Sequence, residues 1–204
     1  MADQQVAVGS AAPPTKHMRA DARRNSARIV EVAKQVFIEA GLEAPLDEIV
    51  KRAGIGAGTL YRHFPTREAL LEAVYREEII ALADLGARLR AELPPEQAIA
   101  QWLDAQLSFV FANRGLAMSL KAAMDRNGES FDYCRRILRA EAKELLAPLQ
   151  EAGVVRADIE PVDILRMTHA VSIATDQDGI GRAGKLLDIM LAGLGLPAVR
   201  RPVA

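Results

Sequence analysis

The sequence of 204 residues predicts an all-α protein. Apolar residues recur three or four positions apart along most of the chain, which is the spacing of one face of an α-helix. Short stretches with glycine or proline, the residues that end helices, separate the segments that show this period. No segment shows the sustained alternation typical of a β-strand. We therefore expect about nine helices, the first three of them in the N-terminal third of the chain.

The first helix is expected over about residues 21–40. Ile29, Ala33 and Val36 follow the helical period, and Gly41 suits the end of a helix. Its beginning is crowded with arginine, although each positive charge there opposes the helix dipole by about 0.3–1 kcal/mol. These residues are Arg19, Arg23, Arg24 and Arg28. An external anion such as a phosphate backbone would offset this cost; the alternative is a solvated basic turn.

Residues 46–64 are the most informative segment of the chain. An amphipathic stretch at 46–53 ends at a glycine, and a second short helix is expected at 57–63. Two helices joined by a tight turn that contains glycine are the sequence form of a helix-turn-helix. Leu60 and Phe64 lie four residues apart, so they share the face that the second helix would bury.

The other face of this second helix suits nucleic acid. Ala57 and Gly58 are too small to hold a partner away from the backbone. Hydroxyl, phenol, guanidinium and imidazole groups follow them, and such groups match phosphates and base edges. They belong to Thr59, Tyr61, Arg62 and His63. The alternative is a surface helical hairpin whose polar side chains are only solvated.

The remaining chain continues the helical pattern. Thr66 is a good N-cap and Glu68 suits a first turn, so a long helix is expected from there to about residue 90. Arg67, in that first turn, again favours an external anion. Further helices are expected over about 96–112, 116–126 and 130–152, from Pro161 onward, and over about 182–194.

Charge is distributed unevenly along the chain, although the formal net charge is only −1. Residues 16–67 hold ten Lys and Arg against six Asp and Glu, a formal +4, and the remainder is acidic. This asymmetry indicates a nucleic-acid partner, and the modest size of the positive charge indicates two copies that act together.

Composition excludes several classes of protein. No run of about 18 apolar residues occurs, so we expect no membrane span. Residues 1–18 are expected to form a disordered tail; without the features of a secretory signal, they indicate a cytoplasmic protein. The single cysteine, Cys134, excludes an internal disulfide and a multi-cysteine metal site. We expect no metal and no cofactor, and interpret Cys134 as a core residue, with a redox sensor as the alternative.

Taken together, the N-terminal segments closely resemble the DNA-binding domain of the TetR (tetracycline-repressor) family of bacterial regulators. The resemblance covers about residues 23–75. It rests on several spaced elements that occur in the same order, namely 29–41, Ile49 to Gly54, Gly58-Thr59-Leu60-Tyr61, His63-Phe64, and Thr66-Arg67-Glu68 before Leu70. It implies a helix-turn-helix DNA-binding domain over 19–68 and a helical domain over 69–204 that binds an effector and dimerises.

The same resemblance implies roles for individual residues. The recognition helix would be 57–63, with its small residues, Thr59 and Tyr61 near the major groove, and Tyr61 and His63 near phosphates. Together with the arginines, the predicted DNA-binding residues are Arg19, Arg23, Arg24, Ala57, Gly58, Thr59, Tyr61, Arg62, His63 and Arg67. Family members often carry Thr or Ser before the second helix. Here the segment is Ala44-Pro45-Leu46, so that phosphate contact is not carried over.

An effector pocket is predicted from clustered aromatic residues. Five of the nine aromatic side chains fall between residues 102 and 133, interleaved with methionine, and such residues line apolar pockets. The predicted pocket residues are Trp102, Phe109, Phe111, Met118, Met124, Phe131, Tyr133 and His169. The alternative is that these side chains form only the core of a helical domain, with His169 as a structural histidine.

A dimer interface is predicted from the last helix, which is apolar around nearly its whole circumference and must therefore be buried on every side. Contact with a second copy would bury it, and the resemblance implies a four-helix bundle. The predicted interface residues are Met167, Val171, Leu186, Leu187, Ile189, Met190 and Leu194. The alternative is burial in the core of the single chain.

These observations predict a homodimeric, sequence-specific DNA-binding transcriptional regulator. We expect a repressor that a small-molecule effector releases from a palindromic operator in double-stranded DNA. The alternatives are a constitutive DNA-binding protein without an effector, and an enzyme with a DNA-binding appendage. The enzyme has little support, because His169 and Asp176 lie two helical turns apart and no nucleophile or phosphate-binding motif occurs.

Overall fold

The computed structural model describes residues 16–116, 129–175 and 178–199, and every regular element in these ranges is a helix. The predicted all-α class is confirmed. The helices are α1 (Lys16–Ala40), α2 (Leu46–Ala53), α3 (Ala57–His63), α4 (Arg67–Glu92), α5 (Pro95–Ala112), α6 (Glu129–Glu151), α7 (Pro161–Ala174) and α8 (Ile180–Gly193).

Most helix boundaries lie within two residues of the predicted ones, and α1 is the exception. It begins at Lys16 rather than at about 21, so the assignment of residues 16–18 to a disordered tail was wrong. The segment from 16 to 20 contains neither glycine nor proline, the two residues that most disfavour a helix. The helix expected over 116–126 lies outside the described residues, except for its first position.

The chain divides into two compact units, residues 1–65 and 66–204. In the first unit, α1 packs against α2, and α2 packs against α3. The core of this unit is the apolar face of each helix, repeated at the helical period. Its buried residues include Ile29, Ala33, Val36 and Phe37 from α1, Ile49 and Ala53 from α2, and Leu60 from α3.

In the second unit, α5 packs against α4, α6, α7 and α8. Trp102 of α5 is fully buried, and its indole N–H donates a hydrogen bond to the carbonyl oxygen of Leu82 at 2.9 Å. This bond satisfies the polar atom that a buried tryptophan brings into a core. The surrounding core includes Leu103, Leu107, Leu145, Leu146, Ala183, Leu187 and Leu191.

Helices α4 and α6 meet at a point where a glycine faces a glutamate. A Cβ atom placed on Gly86 would lie 2.5 Å from Oε1 of Glu141. The buried Glu141 carboxylate accepts a hydrogen bond from Nε of Arg90 at 3.0 Å. The missing side chain of Gly86 therefore provides the space that this ion pair occupies.

Candidate nucleic-acid interface

The turn between α2 and α3 depends on one glycine. Gly54 has φ 62° and ψ 40°, in the left-handed region that favours glycine. Its N–H donates to the carbonyl oxygen of Lys51 at 3.2 Å, and the N–H of Ile55 donates to that of Val50 at 3.2 Å. These two bonds form a Schellman motif, which ends α2 and redirects the chain into α3.

One side of α3 is buried and anchors the helix. Leu60 and Phe64 are both buried, which confirms the inward face predicted from their spacing. The ring of His63 lies 6.2 Å from the ring of Phe64, centroid to centroid, and is half-buried. A helix of only seven residues has little stability of its own, so these apolar contacts hold it in place.

The opposite side of α3 is open. Ala57 and Gly58 are exposed, and a Cβ atom placed on Gly56 or Gly58 would meet no atom within 4 Å. Tyr61 is 50% exposed. The first turn of α3 therefore presents nearly bare backbone, with a phenol one turn further along.

Arg62 lies along this open side and binds its own helix. Its Nε donates a hydrogen bond to the carbonyl oxygen of Gly58 at 3.1 Å, and its Nη2 donates to Oγ1 of Thr59 at 3.2 Å. The guanidinium thus lies beside the small residues. To contact a phosphate or a base, it must exchange these bonds for intermolecular ones.

Arg52 fixes α2 against the end of α1. Its Nη1 lies 2.5 Å from Oε2 of Glu39 in α1, and its Nε lies 2.7 Å from Oε1 of Glu48 in α2. The hydrogen bond from Arg52 holds the pKa of Glu48 below its ordinary value. Arg52 therefore serves the packing of the first unit.

The arginines at the start of α1 are only partly described. Arg24 forms an ion pair with Asp21, one turn earlier in the helix. Nη2 of Arg28 reaches the α2–α3 turn, 3.4 Å from where a Cβ atom on Gly54 would lie. The side chains of Arg19 and Arg23 lie outside the described part of the chain. The positive charge of this cluster is thus partly balanced within α1.

Arg67 is the first residue of α4 and belongs to the second unit. The preceding Thr66 is confirmed as the N-cap, since its Oγ1 accepts a hydrogen bond from the N–H of Ala69 at 3.1 Å. Hydrogen bonds from the backbone of Glu68 and from Thr66 lower the pKa of the Glu68 carboxyl. Arg67 is partly exposed at this capped helix start.

The residues of the predicted effector pocket occupy several places in the second unit. Trp102 lies in the core. The ring of Phe109 lies 5.6 Å from that of Tyr75 in α4, and the guanidinium of Arg76 lies 4.1 Å from the ring of Tyr133 in α6. Two of the predicted residues therefore contact consecutive positions of α4. Burial, chiefly, raises the pKa of Tyr75 to about 12.

The other predicted pocket residues are more dispersed. The guanidinium of Arg114 lies 5.1 Å from the ring of Phe111, and Nη2 of Arg114 donates to the carbonyl oxygen of Ser172 at 2.6 Å. His169 is exposed on α7. Met118, Met124 and the side chain of Phe131 lie outside the described residues.

Sequence reasoning missed one polar residue of the second unit. Gln106 of α5 is only 4% exposed. Among the residues that the structure describes, its Oε1 is the buried side-chain polar atom without a hydrogen-bond partner. The sequence did contain a signal for it. Gln106 follows Trp102 and Leu103 at helical spacing, so it is a glutamine on an otherwise apolar helix face.

The predicted dimer residues separate into two groups. Val171 and Leu187 are buried in the core of the single chain, so their assignment to an interface was wrong. Leu186, Met190 and Leu194 are partly buried against that core. Met167 and Ile189 are 51% and 68% exposed. Ile173 and Ile180, which sequence reasoning did not select, are exposed as well.

Other kinds of site have little support in the described ranges. No three His, Cys, Asp or Glu side chains there are grouped as metal ligands. Cys134 is buried, and desolvation raises the pKa of its thiol, which reduces its reactivity. No helix in the described part of the chain has the length and hydropathy to cross a membrane.

Comparisons with known proteins extend over both units. A family model of bacterial regulatory proteins of the tetR family matches residues 29–74. A model of the C-terminal domain of SbtR-like transcriptional regulators matches residues 94–196. The two models together span most of the chain.

Individual proteins give the same result. This chain is similar to a TetR transcriptional regulator from Streptomyces coelicolor whose crystal structure is known. The sequences are 36% identical and the structures superpose with a TM-score of 0.68, and the match covers 85% of this chain and 99% of that one. A TetR regulatory protein from Mycobacterium vanbaalenii is 34% identical, with a TM-score of 0.66, over 86% and 98%. An HTH-type transcriptional regulator of Staphylococcus aureus strain USA300 is 32% identical over 111 residues, 53% of this chain. The chain spans 60% of the length of that curated relative. This chain belongs to the TetR family of bacterial regulatory proteins.

Proposed function

We propose that this protein is a transcriptional regulator that binds double-stranded DNA through α3. The observation that carries the proposal is the two-sided character of this helix. Leu60 and Phe64 are buried, whereas Ala57, Gly58 and half of Tyr61 face solvent. The exposed side is narrow and nearly bare, and the major groove of B-DNA, about 12 Å wide, admits a helix of this kind.

Within this proposal, the side chains divide by chemistry. Ala57 and Gly58 let the helix backbone approach the base edges, while Thr59 and Arg62 supply hydrogen-bonding groups beside them. Phosphates are then contacted by the phenol, imidazole and guanidinium groups around the groove. These belong to Tyr61, His63, Arg67, Arg19, Arg23 and Arg24.

We further propose that the protein is a homodimer. Four large apolar side chains of α7 and α8 face solvent, and a second copy of the same surface would cover them. They are Met167, Ile173, Ile180 and Ile189. A two-fold dimer binds a palindromic operator when its recognition helices match half-sites about 34–36 Å apart. Each copy contributes one DNA-binding domain of modest positive charge, and two such domains together bind DNA far more tightly than one.

The regulation that we propose is repression relieved by a small molecule in the second unit. The two DNA-binding domains of the dimer fit the operator only at one separation. A ligand that binds better to a dimer with a different separation lowers the affinity for DNA by the ratio of the ligand's affinities for the two dimer states. RolR, which shares this fold at 22% identity and a TM-score of 0.60, has been solved with the ligand resorcinol. The unpaired amide of Gln106 favours a ligand over the alternative of constitutive DNA binding.

The proposal assigns binding, and no chemical reaction, to every site residue. The chain would act in the cytoplasm of a bacterial cell, since that compartment holds the DNA that a regulator binds. An enzyme with a DNA-binding appendage stays the disfavoured alternative, because the family models that match this chain are those of transcriptional regulators.

The test is binding of the purified protein to labelled DNA from upstream of its own gene, measured by fluorescence anisotropy across a salt series. Phosphate contacts release counterions, so the logarithm of the binding constant falls linearly with that of salt concentration. Arg67→Ala is expected to reduce this slope by about 1. The control Arg88→Ala, which alters an exposed arginine further along α4, is expected to leave it unchanged.

Two outcomes would count against the proposal. Binding of the upstream DNA no tighter than that of a shuffled duplex, at every salt concentration, would contradict sequence-specific regulation. A slope that is the same for the wild type and for Arg67→Ala would remove Arg67 from the interface.

A further inference from the structure

The buried amide oxygen of Gln106 indicates what kind of ligand the second unit would bind. The residue is 4% exposed, and its Oε1 has no hydrogen-bond donor among the described residues. A buried acceptor without a donor destabilises a fold, because it has lost its hydrogen bonds to water without replacement. Native proteins contain few such atoms, and each indicates a water, an ion or a ligand that completes the bond.

The buried indole and hydroxyl donors of α5 and α7 are already used. The indole N–H of Trp102, one turn before Gln106, donates to the carbonyl oxygen of Leu82. Helix α7, which packs against α5, and the C-cap residue that follows it carry three buried hydroxyl groups, and each donates to a carbonyl oxygen of α7. These bonds run from Thr168 to Ile164, from Ser172 to His169 and from Thr175 to Val171, at 2.7–2.9 Å. None of these groups supplies the donor that Gln106 lacks.

The neighbours of Gln106 on α5 are aromatic. Trp102 lies four residues before it and Phe109 three residues after it, so both share its side of the helix. Phe109 in turn contacts the ring of Tyr75 from α4. A polar acceptor flanked by flat apolar rings matches a ligand with a flat apolar body and one polar donor.

We propose that Oε1 of Gln106 accepts a hydrogen bond from a small molecule that has an aromatic ring and a hydroxyl or N–H donor. This inference deepens the proposed function, because that molecule would be the effector. The ring of the ligand contacts Phe109, which is partly exposed one turn along α5, and the donor satisfies Oε1 of Gln106. A ligand that lacks the donor leaves the acceptor unpaired, so the site discriminates by the hydrogen bond more than by size.

The test uses three pairs of probes: phenol and anisole, 2-naphthol and 2-methoxynaphthalene, and indole and 1-methylindole. In each pair, methylation removes the donor and keeps the ring. Binding to the full chain is measured by isothermal titration calorimetry. A second readout is the fluorescence of Trp102, the only tryptophan in the sequence, one turn from Gln106.

For at least one pair, the donor-bearing probe is expected to bind the wild type about tenfold more tightly than its methylated partner. Gln106→Leu and Gln106→Met, which keep the bulk and remove the acceptor, are expected to abolish that difference. Gln101→Leu alters an exposed glutamine of the same helix and is expected to preserve it. Melting curves establish that each variant is folded.

Three results would overturn the inference. They are equal binding of the methylated and unmethylated probes in all pairs, a preference that persists in both Gln106 variants, and the absence of binding by every probe. DNA anisotropy with and without the binding probe then separates the two proposals. A probe that binds through Gln106 but leaves DNA affinity unchanged supports the ligand site and contradicts its role as an effector site. If the wild type does not bind DNA in the absence of any probe, the proposed regulator function is contradicted and the ligand site is not.

Discussion

Gly58 shows how much of the proposed interface depends on the absence of a side chain. It lies in the first turn of α3, and a Cβ atom placed there meets no protein atom within 4 Å. The fold therefore does not require glycine at this position. A close approach by another molecule does require it, because any side chain would extend from the surface that we assign to the major groove.

Substitution of Gly58 separates these two requirements. Gly58→Ala is expected to stabilise the fold by up to about 0.5–1 kcal/mol, because glycine is unfavourable inside a helix. Gly58→Leu is expected to remain folded and to weaken DNA binding at least tenfold, since the side chain blocks the groove. Thermal melting and anisotropy measure the two effects. Ala87→Leu, at an exposed position of α4, is the control for an added surface leucine. A Gly58→Leu protein that binds DNA as tightly as the wild type would contradict the recognition role of α3.

Gly86 represents the opposite case, since the protein itself fills the space beside it. Gly86→Ala would place a Cβ atom 2.5 Å from Oε1 and 2.6 Å from Cγ of Glu141. We expect a loss of about 1–3 kcal/mol in the free energy of unfolding, as for other overpacked sites. The measurement is urea denaturation followed by circular dichroism.

A double mutant identifies the cause of that loss. In Gly86→Ala with Glu141→Ala, the obstructing carboxylate is gone, so the combined loss is expected to be smaller than the sum of the two single losses. Additive losses would mean that Glu141 moves aside without strain, and that Gly86 serves another purpose.

These residues also show what a sequence pattern can and cannot predict. The helical period places Gly86 on the apolar stripe of α4, but it gives no indication of Glu141, 55 positions later on another helix. Similarly, α5 is recognisable as a core helix, yet nothing local states whether Gln106 finds a donor. Periodicity assigns a face to each residue, and only the packed structure assigns its partner.

At the scale of the helices, local signals were sufficient where caps and breakers mark the ends. The bounds of α2 and α3 agree with prediction because Pro45, Gly54 and Gly56 delimit them. Thr66 marks the start of α4 in the same way. The start of α1 was misplaced by about five residues, since residues 16–20 contain no glycine or proline that would mark a helix boundary.

The junction between α2 and α3 can be tested at Gly54. Its left-handed conformation disfavours any residue with a Cβ atom, so Gly54→Ala is expected to destabilise the fold by about 1 kcal/mol. Gly54→Asn is expected to lose less, because asparagine tolerates this region better. Melting temperatures of the two variants provide the comparison. Equal values for Gly54→Ala and the wild type would show that the turn can end α2 in another conformation.

At the scale of the whole molecule, the proposed dimer accounts for the apolar circumference of α8. Leu187 and Leu191 are buried in the core of the second unit, while Ile180 and Ile189 face solvent. A helix that packs against its own chain on one side and a second copy on the other is apolar around its circumference. The sequence alone shows the circumference, but it cannot divide it between core and surface.

Ile189 is the most exposed apolar residue of the proposed dimer surface among those described, at 68%. Ile189→Glu would bury a charge at the contact between two copies, so we expect monomers by light scattering. We also expect DNA affinity to fall by about 10²–10⁴-fold, because each monomer then binds one half-site alone. Ile38→Glu, at a comparably exposed isoleucine of α1, is the control and should remain dimeric. If Ile189→Glu is still a dimer, the two copies meet at another surface. If it is a monomer with unchanged DNA affinity, DNA recognition does not require two copies on a palindromic operator.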